Sequence, residues 1–86
     1  MTVADEPAVL AELRAMLARI TGRPELAGLP PEAGLFADGA GLDSLTGTLL
    51  LTEIRHQFGV DVAAEDLNLD ALATLRTLAA FLAARS

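Results

Sequence analysis

The sequence predicts an all-α fold, a four-helix bundle of three main helices and one short one, with a long loop between the first and second. Three observations carry this. The chain has three phenylalanines and neither tyrosine nor tryptophan, so its core must be built from Leu, Ala, Val and Ile, and its wealth of Ala and Leu favours helix over strand. Apolar residues recur at helical spacing in three separate stretches. Between the first two of these, glycine and proline are too dense for any regular element. With 86 residues there is room for one small domain and one core, taken as residues 1–86.

The first helix is expected over residues 5–21, DEPAVLAELRAMLARIT, where Val9, Leu10, Leu13, Leu17 and Ile20 fall on one side. Acid and Pro7 mark its start, Arg19 lies near its end and Gly22 follows. From Gly22 to Gly41 the chain holds three of the four prolines and five of the seven glycines. A loop of this length in a small domain has to pack down or serve a function. Leu26, Leu29, Leu35 and Phe36 supply the side chains to pack it, with room for one short helical turn.

The second helix is expected from Ser44 to about Phe58, with Asp43 at the N-cap, Gly59 as the stop, and Leu50, Leu51, Ile54 and Phe58 facing inward. After GVDV a short helical turn is expected near Glu65 to Leu67. Asp70 is then expected to cap a last helix carrying Leu72, Leu75, Leu78, Ala79 and Leu82. No internal repeat or low-complexity tract interrupts this order.

Composition excludes several functions. The chain has no cysteine, so it offers neither disulfide nor thiolate metal site, and any thiol chemistry needs an added group. Twelve acidic against six basic residues, all six arginine, give a net charge of −6, which opposes binding to a phosphate backbone. A helix-turn-helix regulator fares no better, since the second helix carries only Arg55 and the last only Arg76 and Arg85. The N-terminal MTVADEPAV is acidic where a secretory signal is basic, and no apolar run approaches the ~18 residues of a membrane span. A cytoplasmic monomer without membrane or nucleic-acid partners is expected.

One stretch, GLDSLTGTLLLTEI over residues 41–54, stands out. With Asp43 at the N-cap, Ser44 is the first helical residue, and its hydroxyl projects among free backbone N–H groups at the positive end of the helix dipole. A phosphate attached there is favoured. Taken alone, Asp-Ser-Leu also fits a plain helix start in a helical protein-interaction module without a prosthetic group. A serine hydrolase does not fit: the only histidine, His56, lies roughly three turns along the same helix at ~1.5 Å per residue, beyond hydrogen-bond reach of Ser44. His56 has no partner ligands in sequence and is read as ordinary surface.

In order and spacing, LFADGAGLDSL, an apolar helix, FGVDVAAEDL and a closing amphipathic helix resemble the acyl and peptidyl carrier proteins, from about residue 8 to residue 84. Gly41, Leu42, Asp43, Ser44 and Leu45 match the family's G-x-D-S-L motif position by position. The resemblance implies that Ser44 receives a 4'-phosphopantetheine arm from coenzyme A through a phosphopantetheinyl transferase, and that Asp43 helps the transferase and its magnesium ion engage the serine. It also implies that the chain is no enzyme but presents cargo to enzymes. A cysteine-free chain agrees with this, because it could hold a thioester only on a borrowed thiol.

At 100° per residue from Ser44, the inward stripe centres at about 290°, and Leu45, Leu49, Thr52 and His56 fall between about 80° and 140° on the other side. With Thr48 beside them, Leu45, Leu49 and Thr52 are the expected partner interface. Fatty-acid-type carriers are acidic on this face. Here Thr46 and Leu49 stand where Asp and Glu are usual, Arg55 and His56 replace a later acidic pair, and only Glu53 is acidic. Docking by apolar contact is therefore expected, with dedicated partners: an acyl- or aminoacyl-loading ligase or acyltransferase, and a downstream synthase or transferase.

The segment LDSLTGTLLLTEIRHQFGVDV also looks like the D-alanyl carriers and stand-alone amino-acid carriers. Gly41-Leu42-Asp43 is closer to the acyl than to the peptidyl type, so the cargo stays open between acyl and aminoacyl. The expectation is a free-standing carrier in polyketide or mixed polyketide-peptide (antibiotic-type) biosynthesis. Val60, Val62 and Leu67 are candidates for a cargo groove, or else complete a static core.

Overall fold

In the computed structural model, residues 5–36, 39–66 and 70–85 are described. Asp5 caps α1 (Glu6–Thr21), its carboxylate accepting the Ala8 N–H at 3.0 Å, and Gly22 closes the helix in the left-handed conformation. Val9, Leu13 and Leu17 are buried as expected, and Met16 joins them. Leu10 and Ile20 lie at the margin, packed against the core.

The segment after α1 is ordered and belongs to the core. It opens with a 3-10 turn (Pro24–Gly28) and then buries Leu26, Leu29, Leu35, Ala40 and Leu42. Backbone polar groups in such a segment need partners, and they find them across the molecule. The Leu35 N–H donates to Ala73 O, the Leu75 N–H to Ala33 O at 3.1 Å, and the Arg76 N–H to Pro31 O at 2.7 Å. Gly34 and Thr74 form an isolated antiparallel bridge. Arginines fasten the rest: Arg14 Nε donates to Leu29 O at 2.8 Å, the Arg23 guanidinium to Ala40 O, and Arg76 pairs with Glu32 at 2.7 Å. At Gly39, φ is 92° and an added Cβ would sit 2.5 Å from Gly34 O, so the turn that brings the chain back to α2 admits only glycine there.

Helix α2 (Ser44–Phe58) has the expected bounds, with Asp43 as cap and Gly59 as left-handed stop. Leu50 and Ile54 are buried, and Leu51 and Phe58 pack against the core from its edge. Gly47 is also buried, because Phe36 lies on it: a Cβ at Gly47 would meet the ring at 2.7 Å. Phe36 thus packs down, as the sequence suggested, but leaves 42% of its surface exposed.

Two boundaries differ from expectation. The short helix α3 is Val62–Glu65, about three residues earlier than the turn expected at Glu65 to Leu67, because Asp61 caps it by accepting the Ala64 N–H at 3.2 Å. The last helix, α4 (Leu75–Arg85), does not start at Asp70. Asp70–Leu72 forms a 3-10 turn, held by the Ala71 N–H donating to Asp66 Oδ2 at 2.8 Å. The helix begins after Thr74, which exchanges hydrogen bonds with Thr77: the Thr77 N–H donates to Thr74 Oγ1 at 3.1 Å and the Thr74 N–H to Thr77 Oγ1 at 2.9 Å. Leu72 is nonetheless buried, so the apolar register holds although the helix starts later.

Helix α1 packs against both α2 and α4, and the apolar faces of all three meet in one core with no buried polar residue among those described. Arg85 ties α4 to α3 through Glu65 at 2.8 Å and lies over the Phe81 ring. Among the described residues no strand forms, and no helix is long and apolar enough to cross a membrane.

Candidate functional site

The lead-in to α2 alternates. Ala40 and Leu42 are buried and Gly41 and Asp43 are exposed, with the Leu42 N–H held by Leu35 O at 2.9 Å. Two apolar anchors thereby fix the approach and leave the next polar residues outside. Asp43 is extended, its Oδ1 accepts the Thr46 N–H at 2.8 Å, and its carbonyl accepts the Gly47 N–H at 2.8 Å. Ser44 follows as the first helical residue, exposed at the surface. The N–H groups of Ser44 and Leu45 lie outside the helical ladder, so the serine hydroxyl stands in a field of uncompensated donors.

The Thr46 backbone N–H, and next its side chain, hold the Asp43 carboxyl below the ordinary aspartate range. Asp43 is thus ionised throughout the neutral range, one residue before the serine. The negative charge both steadies the helix start and is available to a cation brought by a partner.

Beyond Ser44, the outward face of α2 matches the helical-wheel expectation. Leu45 is 71% and Leu49 47% exposed, and Thr48, Thr52 and His56 are exposed beside them. The Thr48 hydroxyl donates to Ser44 O and the Thr52 hydroxyl to Thr48 O, each at 3.0 Å. Glu53, the one acid of the helix, pairs with Arg19 of α1 at 3.6 Å. The outward face of α2 therefore lacks free acid more completely than the sequence alone indicates.

Val60 and Val62 are 4% and 1% exposed and sit in the common core, which favours the static role over a groove. Leu67 lies outside the described residues. Sequence reasoning missed a small depression of about 150 Å³ on the flank of α2, lined by Thr48, Leu51, Thr52, Arg55 and Asp61. A signal for it was present, because Arg55 and Thr48 fall within about 40° of Ser44 on the helical wheel.

The family model described as phosphopantetheine attachment site matches residues 11–82. This chain belongs to that family. The match spans most of α1, the loop, α2, α3 and most of α4, so that the helix-start serine falls within it. Comparison with curated proteins and with solved structures gave no match. Proteins of this family carry a covalently attached 4'-phosphopantetheine and work with transferases and synthases. The site fits that group: an exposed hydroxyl at a positive helix end suits a phosphodiester, and a chain without cysteine needs the thiol the arm supplies.

Proposed function

We propose that residues 1–86 form one carrier domain, not itself an enzyme, in which Ser44 is the attachment point for 4'-phosphopantetheine and Asp43 serves the transferase and its magnesium ion. The observation that carries this is the placement of Ser44: the first residue of α2, exposed, preceded by a capping carboxylate and fixed from behind by the buried Ala40 and Leu42. When bound, the arm supplies the thiol on which an acyl or aminoacyl group travels as a thioester. The chain's own residues present the hydroxyl, hold the helix end rigid and place about 0.3–1 kcal/mol of dipole stabilisation beside the attached phosphate.

Leu45, Thr48, Leu49 and Thr52 form the surface met by the loading enzyme, a ligase or acyltransferase, and by the receiving synthase or transferase. With Glu53 paired to Arg19, this surface recognises partners by apolar contact and hydroxyl hydrogen bonds. Such a surface suits dedicated partners, as in polyketide or mixed polyketide-peptide biosynthesis.

Intact mass after incubation with coenzyme A, magnesium and a broad-specificity transferase tests the attachment. The native protein is expected to gain one phosphopantetheine and Ser44→Ala none. An unmodified native protein would overturn the carrier role and leave a helical interaction module without a prosthetic group.

A further inference from the structure

Five of the six arginines are engaged. Arg14 and Arg23 donate to backbone carbonyls, and Arg19, Arg76 and Arg85 pair with Glu53, Glu32 and Glu65. Among the described residues, only the Arg55 guanidinium has no partner; its carbonyl accepts the Gly59 N–H. It is exposed in the last turn of α2 and lines the small depression with Thr48, Leu51, Thr52 and Asp61. Asp61 faces it from the start of α3, with Oδ1 engaged by the Ala64 N–H. No ion pair joins Arg55 to Asp61, so the depression presents a donor-only cation and a carboxylate that do not satisfy each other.

Position relates this depression to Ser44. Arg55 is eleven residues further along, three full turns on the same face, about 16 Å away at ~1.5 Å per residue. The pantetheine arm has about fourteen chain bonds, and at the ~3.5 Å that three bonds span in an extended backbone it reaches roughly 16 Å. Between the two ends lie Thr48 and Thr52, whose hydroxyl protons are committed to helix carbonyls. Their oxygens remain acceptors, and the arm carries two amide N–H groups to meet them.

We infer that this depression holds the loaded end of the arm and that it is matched to a small aminoacyl group, with Arg55 donating to the thioester carbonyl and Asp61 accepting from the α-ammonium. An aminoacyl thioester places an acceptor oxygen and a cationic donor nitrogen three bonds apart, which is the complement of an arginine beside an aspartate. A plain acyl group offers no donor to the second oxygen of Asp61, whose Oδ1 stays on the Ala64 N–H, and an acyl group ending in carboxylate sets its charge against Asp61. Size agrees: 150 Å³ suits a few heavy atoms, and with Val60 and Val62 closed into the core that route offers a long chain no opening. The inference rests on Ser44 as the attachment point and narrows the cargo left open above.

The test loads the protein with amide-linked alanyl, propionyl and succinyl analogues of coenzyme A, confirms loading by intact mass, and follows the Arg55 Nε–H and the Asp61 and Thr52 backbone N–H by two-dimensional NMR. The alanyl arm is expected to displace all three signals, and the propionyl arm to displace them less. Arg55→Gln and Asp61→Asn should each remove the difference between alanyl and propionyl with circular dichroism unchanged, since asparagine caps α3 as well as aspartate does. Identical spectra for alanyl and propionyl, or a larger Arg55 displacement with succinyl, would overturn the cargo assignment while leaving Ser44 in place. Absence of any mass gain would overturn both.

Discussion

Asp43 and Ser44 divide the labour of one helix start. The aspartate satisfies the Thr46 N–H, and the serine is left exposed with its backbone N–H outside the helical ladder. Because the cap uses the ionised carboxylate, its contribution depends on pH with a definite sign. The folded-state pKa is depressed, so the stabilisation is complete above the ordinary aspartate value of about 3.9 and is lost as pH falls through the lower folded value. A carboxyl carbon titration should place the Asp43 pKa below the ordinary value. Asp43→Asn should keep the cap and remove this part of the acid sensitivity, whereas Asp43→Ala should fray the first turn at every pH, visible as faster hydrogen exchange at Thr46. An Asp43 pKa at or above the ordinary value would contradict the geometry. Both residues are legible in sequence, since capping depends on residue type and a three-residue offset alone.

Helix α2 carries two faces with opposite tasks. Gly47, Leu50 and Ile54 are buried, and Leu45 and Leu49 are held out in solvent on the opposite side. An exposed leucine is unremarkable singly, but two beside the proposed attachment serine, on a face whose only acid is tied to Arg19, form an apolar surface in want of a partner. Leu49→Glu is expected to lower transfer to the native partner enzyme roughly tenfold, the effect of about 1.4 kcal/mol, while pantetheinylation and helical content stay near native. Equal transfer rates with native and variant carriers would remove Leu49 from the interface. The wheel already separated these faces, since 100° per residue suffices for a regular helix. It could not show that Glu53 is taken by Arg19, because that pair joins two helices distant in the chain.

The whole molecule depends on a segment that has almost no regular structure. Leu26, Leu29, Leu35, Ala40 and Leu42 lie in the same core as the helices, and α1, α2 and α4 would leave apolar surface open without them. Leu35 is fully buried, so Leu35→Ala should destabilise by about 2–5 kcal/mol, as for a leucine within a helix. Against the ~5–15 kcal/mol of a typical domain this is a large fraction, and thermal unfolding should show a drop of many degrees. A shift no larger than that of an exposed substitution such as Leu45→Ala would mean the segment is an appendage.

How much was legible follows the range of the interactions involved. The bounds of α1 and α2, the burial of the loop leucines and the helix-start serine all follow from local chemistry: caps, breakers, apolar period and a motif of five adjacent residues. The start of α4 did not, because Asp70 and Thr74 are both competent caps and the choice was made by contacts of the preceding segment, the Ala73 carbonyl held by Leu35 and the Leu75 N–H held by Ala33. By itself the sequence determined an all-α carrier domain and the residue on which its chemistry is proposed to turn. Only the tertiary structure decided which charges are neutralised and which remain, leaving Arg55 and Asp61 facing one depression on the Ser44 side of α2, since pairing among charges distant in sequence depends on how the helices and loop come together in space.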